Sequence, residues 1–294
     1  MEVRINEPMK AHTSFKVGGP ADWFVMPETR EELSAVLDVC RRADLPWYML
    51  GNGSNLLISD LGLRGVVIST KRFDHLEFCD TTLRVGAGVL LSRAAAAALK
   101  EGLTGLEFAA GIPGTVGGAV VMNAGAYGSE MKDVLKQVTV LDREGTVLTL
   151  SPEELKMGYR TSRIPGEGYL VLEAEFLLKK GDKDAIKERM DELAAKRREK
   201  QPLEYPSAGS TFKRPAGHFA GKLIEDAGLK GFTVGGAAVS DKHAGFVINK
   251  DGASAADIAS LCRQVQAEVF KQTGIQLELE IRLLGDFKEK MLRN

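Results

Sequence analysis

The stretch that decides the fold runs Ala110-Gly-Ile-Pro-Gly-Thr-Val-Gly-Gly-Ala-Val-Val-Met-Asn-Ala-Gly125. Its five glycines, one proline and one asparagine in sixteen residues favour neither a regular helix nor a strand, because glycine loses the most freedom on ordering and proline has no amide proton. Such a segment reads as a tight loop whose bare backbone can lie against something flat or anionic. A second loop, Gly51-Asn-Gly-Ser-Asn55, follows the apolar run Trp47-Tyr-Met-Leu50 and so leaves the end of a strand. Two glycine-rich loops imply one large phosphate-bearing cofactor held from two sides. The amides of Asn55 and Asn123 are suited to hydrogen-bond a ring edge or a sugar without adding charge.

Outward from these loops, residues 1–180 alternate strands, helices and glycine turns. Thr29-Arg-Glu-Glu32 is a capping box, and Leu33, Val36, Leu37 and Cys40 recur at helical spacing, which predicts a helix over 29–42. Strands are expected at 45–50, 65–69 and 82–86, an alanine-rich helix at 89–101, and a hairpin at 138–142 and 146–150 around Arg143-Glu-Gly145. Ser151-Pro-Glu-Glu154 opens a short helix, and 170–178 is a strand that closes this half. After Gly181 comes a charged helix, 184–200, whose Ile186, Met190, Leu193 and Ala194 share one face. It is expected to act as the hinge into a second domain. There follow a helix near 221–227, a strand at 245–249, and a helix over 254–272 with Asp257 at the capping-box position and Gly274 as its stop. The alternation of Ile275, Leu277, Leu279, Ile281 and Leu283 predicts a final strand with one polar face.

Composition sets limits. A chain of 294 residues that is 44% hydrophobic can bury two cores. Lys and Arg (39) balance Asp and Glu (40) for a net charge of −1, and no like-charge block is present, which argues against nucleic-acid binding. No apolar run approaches the ~18 residues of a membrane span, and the first residues lack a signal-peptide pattern. A cytoplasmic protein that does not touch the membrane is expected. Cys40, Cys79 and Cys262 form no metal or redox spacing, and all three read as small core hydrophobes, Cys40 and Cys262 on the apolar faces of expected helices. Oligomeric state leaves no trace in the pattern, and a monomer is the default expectation.

Several motifs fail on inspection. Gly51-x-Gly53-x-x-Leu56 and Gly86-x-Gly88-x-x-Leu91 lack the third glycine of a dinucleotide fingerprint, and Gly217-His-Phe-Ala-Gly221-Lys222 is one residue short of a P-loop. His12, His75, His218 and His243 have no metal-ligand spacing. Three segments carry candidate chemistry. Tyr159-Arg160 pairs a ring with a guanidinium, suited to a carboxylate or developing enolate, although a structural salt bridge fits the spacing equally. Ser210 follows Gly209 and precedes Lys213-Arg214, which also reads as a turn with a solvated basic pair. Glu280 lies on the polar face of the last strand, where carboxylates are usually surface.

Taken in this order, the segments resemble the UDP-N-acetylenolpyruvoylglucosamine reductases, flavoenzymes of bacterial peptidoglycan synthesis. The matching pieces are His12-Thr-Ser-Phe15 with Gly18-Gly19, Gly51-Asn-Gly-Ser-Asn55, Gly111 to Gly117, Asn123 to Gly128, Gly158-Tyr-Arg160, Ala208-Gly-Ser210 with Phe212-Lys213, and Leu277-Glu-Leu-Glu280. They span nearly the whole chain, and their joint order and spacing carry the specificity. The resemblance implies an α+β fold. An FAD-binding domain of the vanillyl-alcohol-oxidase (PCMH) type would occupy 1–180, as two α+β subdomains of about 1–70 and 71–180, followed by a C-terminal α+β substrate domain at 181–294. It implies noncovalent FAD cradled by Leu50, Gly51, Gly53, Ser54, Asn55 and Leu56 on one side. On the other side would stand Ala110, Gly111, Ile112, Pro113, Thr115, Gly117, Gly118, Asn123, Gly125 and Tyr127.

NADPH is the implied electron donor, and the implied substrate is UDP-N-acetylglucosamine enolpyruvate, reduced to UDP-N-acetylmuramate for peptidoglycan synthesis and hence for cell shape and division. Arg160 and Glu280 would stabilise the enolate, Ser210 would donate the proton, and Tyr159, Lys213 and Arg214 would hold the UDP-sugar. The separation of Arg160 and Ser210 leaves no room for the tyrosine-bearing lid insert of one branch, so the chain resembles the shorter class. Two rivals stand beside this reading. An oxidase on the same cofactor fold would consume oxygen without oxidising NADPH, and a silent nucleotide-sugar binder would purify colourless.

Overall fold

The computed structural model describes residues 1–287. Among them are seven α-helices: α1 (Arg30–Arg42), α2 (Leu91–Lys100), α3 (Val116–Val121), α4 (Ile164–Glu167), α5 (Lys183–Lys200), α6 (Ala220–Asp226) and α7 (Ala255–Thr273). Helix α1 forms where the capping box predicts it. Thr29 Oγ1 accepts from the Glu32 amide at 3.2 Å, and Leu33, Val36, Leu37 and Cys40 are buried. Helix α7 starts with the reciprocal Ser254–Asp257 bonds and stops at Gly274, which adopts the left-handed φ of +70°.

Strands Glu2–Pro8, Pro20–Met26, Leu63–Ser69 and Trp47–Leu50 form a four-stranded sheet in that spatial order. A five-stranded antiparallel sheet has the order Val147–Leu150, Leu135–Leu141, Leu170–Leu177, Thr82–Gly86, Leu76–Cys79. Thr233–Val234, Ala237–Val239 and Val247–Asn249 make a small antiparallel sheet. Leu56–Ile58 pairs in parallel with Arg282–Leu284.

Three local expectations are corrected. Within the glycine-rich stretch, Val116–Val121 forms the helix α3. Propensity loses there because Val116, Ala119 and Val120 bury into the core, and because Gly117 lets the helix approach the sheet: a Cβ at Gly117 would stand 2.9 Å from that of Ala87. Ser151–Glu154 closes one turn, with the Leu155 amide donating to Ser151 O at 3.0 Å, and no helix follows because Lys156 takes a φ of +48°. The short α4 that comes after it went unpredicted.

The last strand is also shorter than its alternation implies. Leu277 and Ile281 are buried as expected, but the segment changes partner midway. It bridges Phe212 through Leu279 and then pairs Arg282–Leu284 with Leu56–Ile58. Two short pairings replace one long ladder, and Leu283 is left exposed.

The chain divides into two compact units, each discontinuous in sequence: Met1–Val3, Val25–Asn52 and Val67–Arg197 form the first, and Arg4–Phe24, Gly53–Val66 and Arg198–Asn294 the second. Phe15, Val17 and Leu57 pack into the core of the second unit with α6 and α7, and Asn249 Nδ2 donates to Phe15 O at 3.0 Å. The first unit's core lies on the five-stranded sheet beneath α2 and α3 and includes fully buried Phe176, a side chain whose burial contributes about 1.5–3 kcal/mol.

Candidate active site

In the first unit the two glycine loops meet. Asn52 Nδ2 donates to Pro113 O at 2.7 Å, which ties the Gly51 turn to the Ala110–Gly118 stretch. Gly51 is bare because a Cβ there would run into Thr115 Oγ1. That hydroxyl is buried and, among the described residues, has no hydrogen-bond partner. A buried hydroxyl left unpaired costs about 1–3 kcal/mol, which makes it a candidate contact for a ligand atom. Gly118 presents open space apart from Thr115 Oγ1. Gly111, between Ala110 and Ile112, carries the side chain of Arg197 against it. Leu50 is a core residue whose carbonyl accepts from Thr70 N at 3.0 Å.

Asn123 is held by the protein. It is fully buried, and its amide is consumed inside the protein: Nδ2 donates to Glu130 Oε2 (2.9 Å) and Gly158 O (3.0 Å), while Oδ1 accepts from Lys132 N (3.0 Å). It braces the turn that carries Tyr159 and Arg160. That turn is closed by reciprocal bonds between Gly158 and Thr161. Ser162 Oγ donates to Val121 O at 2.7 Å, and Arg160 Nη2 to Gly125 O at 3.0 Å. Arg160 holds the uncommon φ of +53°, a conformation that persists where surrounding bonds over-determine it. Its guanidinium lies 5.1 Å from the centroid of Tyr159, a ring that is 49% exposed. Tyr127, also in the left-handed region, donates from Oη to Leu193 O on α5 at 3.3 Å.

The second unit holds the other half of the candidate residues. Gly53 takes a φ of +60°, and a Cβ there would collide with His12 O. Ser54 and Leu56 follow, the latter in its short strand. Asn55 is likewise engaged by protein: Nδ2 donates to Glu280 O at 3.0 Å, and Asn55 O accepts from Arg282 N at 2.9 Å. It therefore positions the Glu280 backbone.

Thr211 is fully buried and links three segments: its amide donates to Gly245 O (2.9 Å), its carbonyl accepts from Glu280 N (2.8 Å), and its hydroxyl accepts from Val247 N (2.9 Å). Lys213 N donates to Glu278 O at 2.8 Å. Exposed Ser210 thus stands next to Thr211, whose carbonyl holds the Glu280 amide. Lys213 Nζ pairs with Glu278 Oε2 at 3.1 Å, both side chains exposed, and Arg214 lies 4.7 Å from the Phe219 centroid.

The structure therefore brings Ser210, Glu280, Asn55 and Lys213 into one neighbourhood of the second unit, and Arg160, Tyr159, Asn123 and Gly125 into one neighbourhood of the first. Sequence reasoning missed Arg197 and the unpartnered His12 Nδ1, which is buried while Nε2 bonds Glu7 Oε1 at 2.7 Å. For Arg197 a signal existed: it falls four residues after Leu193, on the apolar face of α5.

Comparison with known proteins gives the family. The family model "FAD binding domain" matches residues 21–151, and "UDP-N-acetylenolpyruvoylglucosamine reductase, C-terminal domain" matches 201–284. The chain is 52% identical over 285 residues to the UDP-N-acetylenolpyruvoylglucosamine reductase of Clostridium botulinum (strain Alaska E43 / Type E3), covering 97% of this chain and 94% of the relative. Its counterpart in Clostridium novyi (strain NT) is 53% identical over 288 residues, covering 98% and 94%. The crystal structure of UDP-N-acetylenolpyruvylglucosamine reductase from Thermus caldophilus is similar, with a TM-score of 0.83 and 40% identity over 97% of this chain and 98% of that one.

Proposed function

Since this chain belongs to the UDP-N-acetylenolpyruvoylglucosamine reductase family, we propose a role for its own residues in that family's reaction. The protein is an FAD-dependent oxidoreductase that uses NADPH to reduce UDP-N-acetylglucosamine enolpyruvate to UDP-N-acetylmuramate, a step of peptidoglycan precursor synthesis. Residues of the first unit fit the cofactor: the orphaned Thr115 Oγ1, side-chain-free Gly51 and open Gly118 offer a polar contact and a bare surface. Gly51, Gly111, Thr115 and Gly118 hold FAD in this reading. Bound and reduced, FAD supplies the hydride for C3 of the vinyl ether.

The remaining work falls to the chain. As charge builds toward the substrate carboxylate, the Arg160 guanidinium, fixed by Gly125 O and the Asn123-braced turn, offsets it. Ser210 delivers the proton to C2, a centre basic enough to accept from a hydroxyl. Glu280 acts with Arg160 in stabilising the enolate, and Lys213 and Arg214 bind the UDP-sugar in this reading. The observation that carries this assignment is the 2.8 Å bond from Glu280 N to Thr211 O, which sets the backbone of Glu280 beside that of the residue after Ser210.

The first unit serves as the FAD-binding domain and the second as the substrate domain. No helix among the described residues is long and apolar enough to cross a membrane. Action in the cytoplasm follows from a substrate and reductant that are both nucleotides.

The test is spectroscopic. Purified protein should be yellow, bleach with NADPH under anaerobic conditions, and regain colour when the enolpyruvyl substrate is added. Colourless protein that takes up no FAD would end this reading.

A further inference from the structure

Arg197 sits in the last turn of α5, half-buried, with its side chain drawn across Gly111. A Cβ on Gly111 would stand 3.1 Å from Arg197 Nη1 and 3.2 Å from its Cδ, so any larger residue there would push the guanidinium aside. Its neighbours on α5 behave otherwise: Arg189 and Lys196 both pair with Glu192. Among the described residues Arg197 makes no ion pair, and Tyr127 is the ionisable group that acts on it. Burial lowers its pKa, with Tyr127 opposing, yet a guanidinium stays charged in proteins.

A partly desolvated cation without a counter-charge is unfavourable unless something supplies one. On the same glycine-rich stretch lies a second unmet group, Thr115 Oγ1. A cation and a hydroxyl donor, both unpartnered and both set on bare glycine backbone, call for one chemistry: a phosphate or diphosphate anion, which accepts from both at once.

We propose that Arg197 is a phosphate ligand that grips the diphosphate of bound FAD over Gly111. The inference rests on the FAD reading above. The UDP-sugar carries the same diphosphate chemistry, but Gly111 lies within residues 21–151, the FAD-binding match, whereas neither family match extends over Arg197. The first unit thus reaches its cofactor with a cation from a helix outside the recognised domain.

The test compares wild type with R197A and with R197M, which keeps the aliphatic stem packed on Gly111. Flavin is stripped and FAD is titrated back by fluorescence quenching, with riboflavin as the phosphate-free probe. The flavin-loaded proteins are then titrated with UDP-N-acetylglucosamine, read as a shift of the flavin spectrum. Both variants should bind FAD roughly ten- to a hundredfold more weakly, the loss expected for one charge-assisted contact. Riboflavin affinity should be unchanged, and R197M should melt within a few degrees of wild type when flavin-free. Unchanged FAD affinity in R197M overturns the proposal, and weakened UDP-sugar affinity with normal FAD binding overturns the assignment to FAD. Failure of the wild type to bind FAD would instead defeat the underlying functional reading.

Discussion

Asp60 and Ala255 stand 195 positions apart, yet the Asp60 carboxylate accepts from the Ala255 amide at 2.8 Å and from Ala256 at 2.9 Å. Ser254 Oγ accepts from the Asp257 amide at 3.1 Å, so the first turn of α7 is capped twice. A carboxylate at a helix N-terminus both satisfies orphan amides and meets the positive end of the dipole. Asp60→Ala should therefore lower stability by about 1 kcal/mol, with Asp60→Asn recovering part of the loss. Urea unfolding measures the change, and an unaltered midpoint for the alanine variant would refute the double cap.

Gly51→Ala tests the cofactor cradle without touching catalysis. Its Cβ meets the Thr115 hydroxyl and would displace the group assigned to the flavin. The variant should purify paler than wild type, with FAD occupancy reduced about tenfold, the loss of roughly one hydrogen bond. Full occupancy, read from the ratio of visible to ultraviolet absorbance, would show that the flavin lies elsewhere.

Ser210→Ala separates the two halves of the reaction. Reduction by NADPH should proceed at the wild-type rate, whereas reoxidation by the enolpyruvyl substrate should slow about 10²- to 10⁴-fold, the usual contribution of a positioned proton donor. Stopped-flow traces of each half-reaction decide it. A parallel loss in both would remove Ser210 from the proton-donor role.

Thiol reactivity should follow burial. Cys40 and Cys262 are buried core residues, whereas Cys79, expected with them in the core, is exposed on the strand Leu76–Cys79. Burial raises the Cys40 pKa and pushes Cys262 up to about 12, so neither offers thiolate near neutrality. At pH 8 an alkylating reagent should label Cys79 alone in the native protein, and all three after denaturation. Native labelling of Cys262 would contradict the packing of α7.

Acid stability should turn on Glu175, which is 6% exposed on the strand Leu170–Leu177. Desolvation raises its pKa, but hydrogen bonds from Arg84 (2.9 Å) and Lys136 (3.2 Å) outweigh it, and the carboxyl ends below its ordinary 4.5. A depressed folded-state pKa contributes stability that is complete above about pH 4.5 and disappears as pH falls through the folded value. Glu175→Gln should cost about 1–3 kcal/mol at pH 7, and its deficit relative to wild type should shrink toward pH 3. An equal deficit at both pH values would exclude this linkage.

Much of the architecture is written locally. Helices α1 and α7 begin at side chains that bond their own first turns, and α7 stops at a glycine in the left-handed region that favours it. Apolar spacing located the buried faces of both, and the hairpin at 135–150 followed from its turn residues. The ordered set of short motifs, from His12 to Glu280, was enough to reach the family. These features depend on neighbours a few positions apart, where chain connectivity does the positioning.

Tertiary structure decided what depends on distant partners. Residues 116–121 became a helix because Gly117 could approach Ala87, against their intrinsic preference. Asn55 and Asn123, amides equally fit for a ligand, were claimed by Glu280 O and Gly158 O. Asp60 joined a helix from the opposite end of the chain, and Arg197 was left on Gly111 without a counter-charge. Residue type states what a group can bond, but which donor meets which acceptor, and which is left unmet for a ligand, is settled by long-range packing that sequence spacing does not encode.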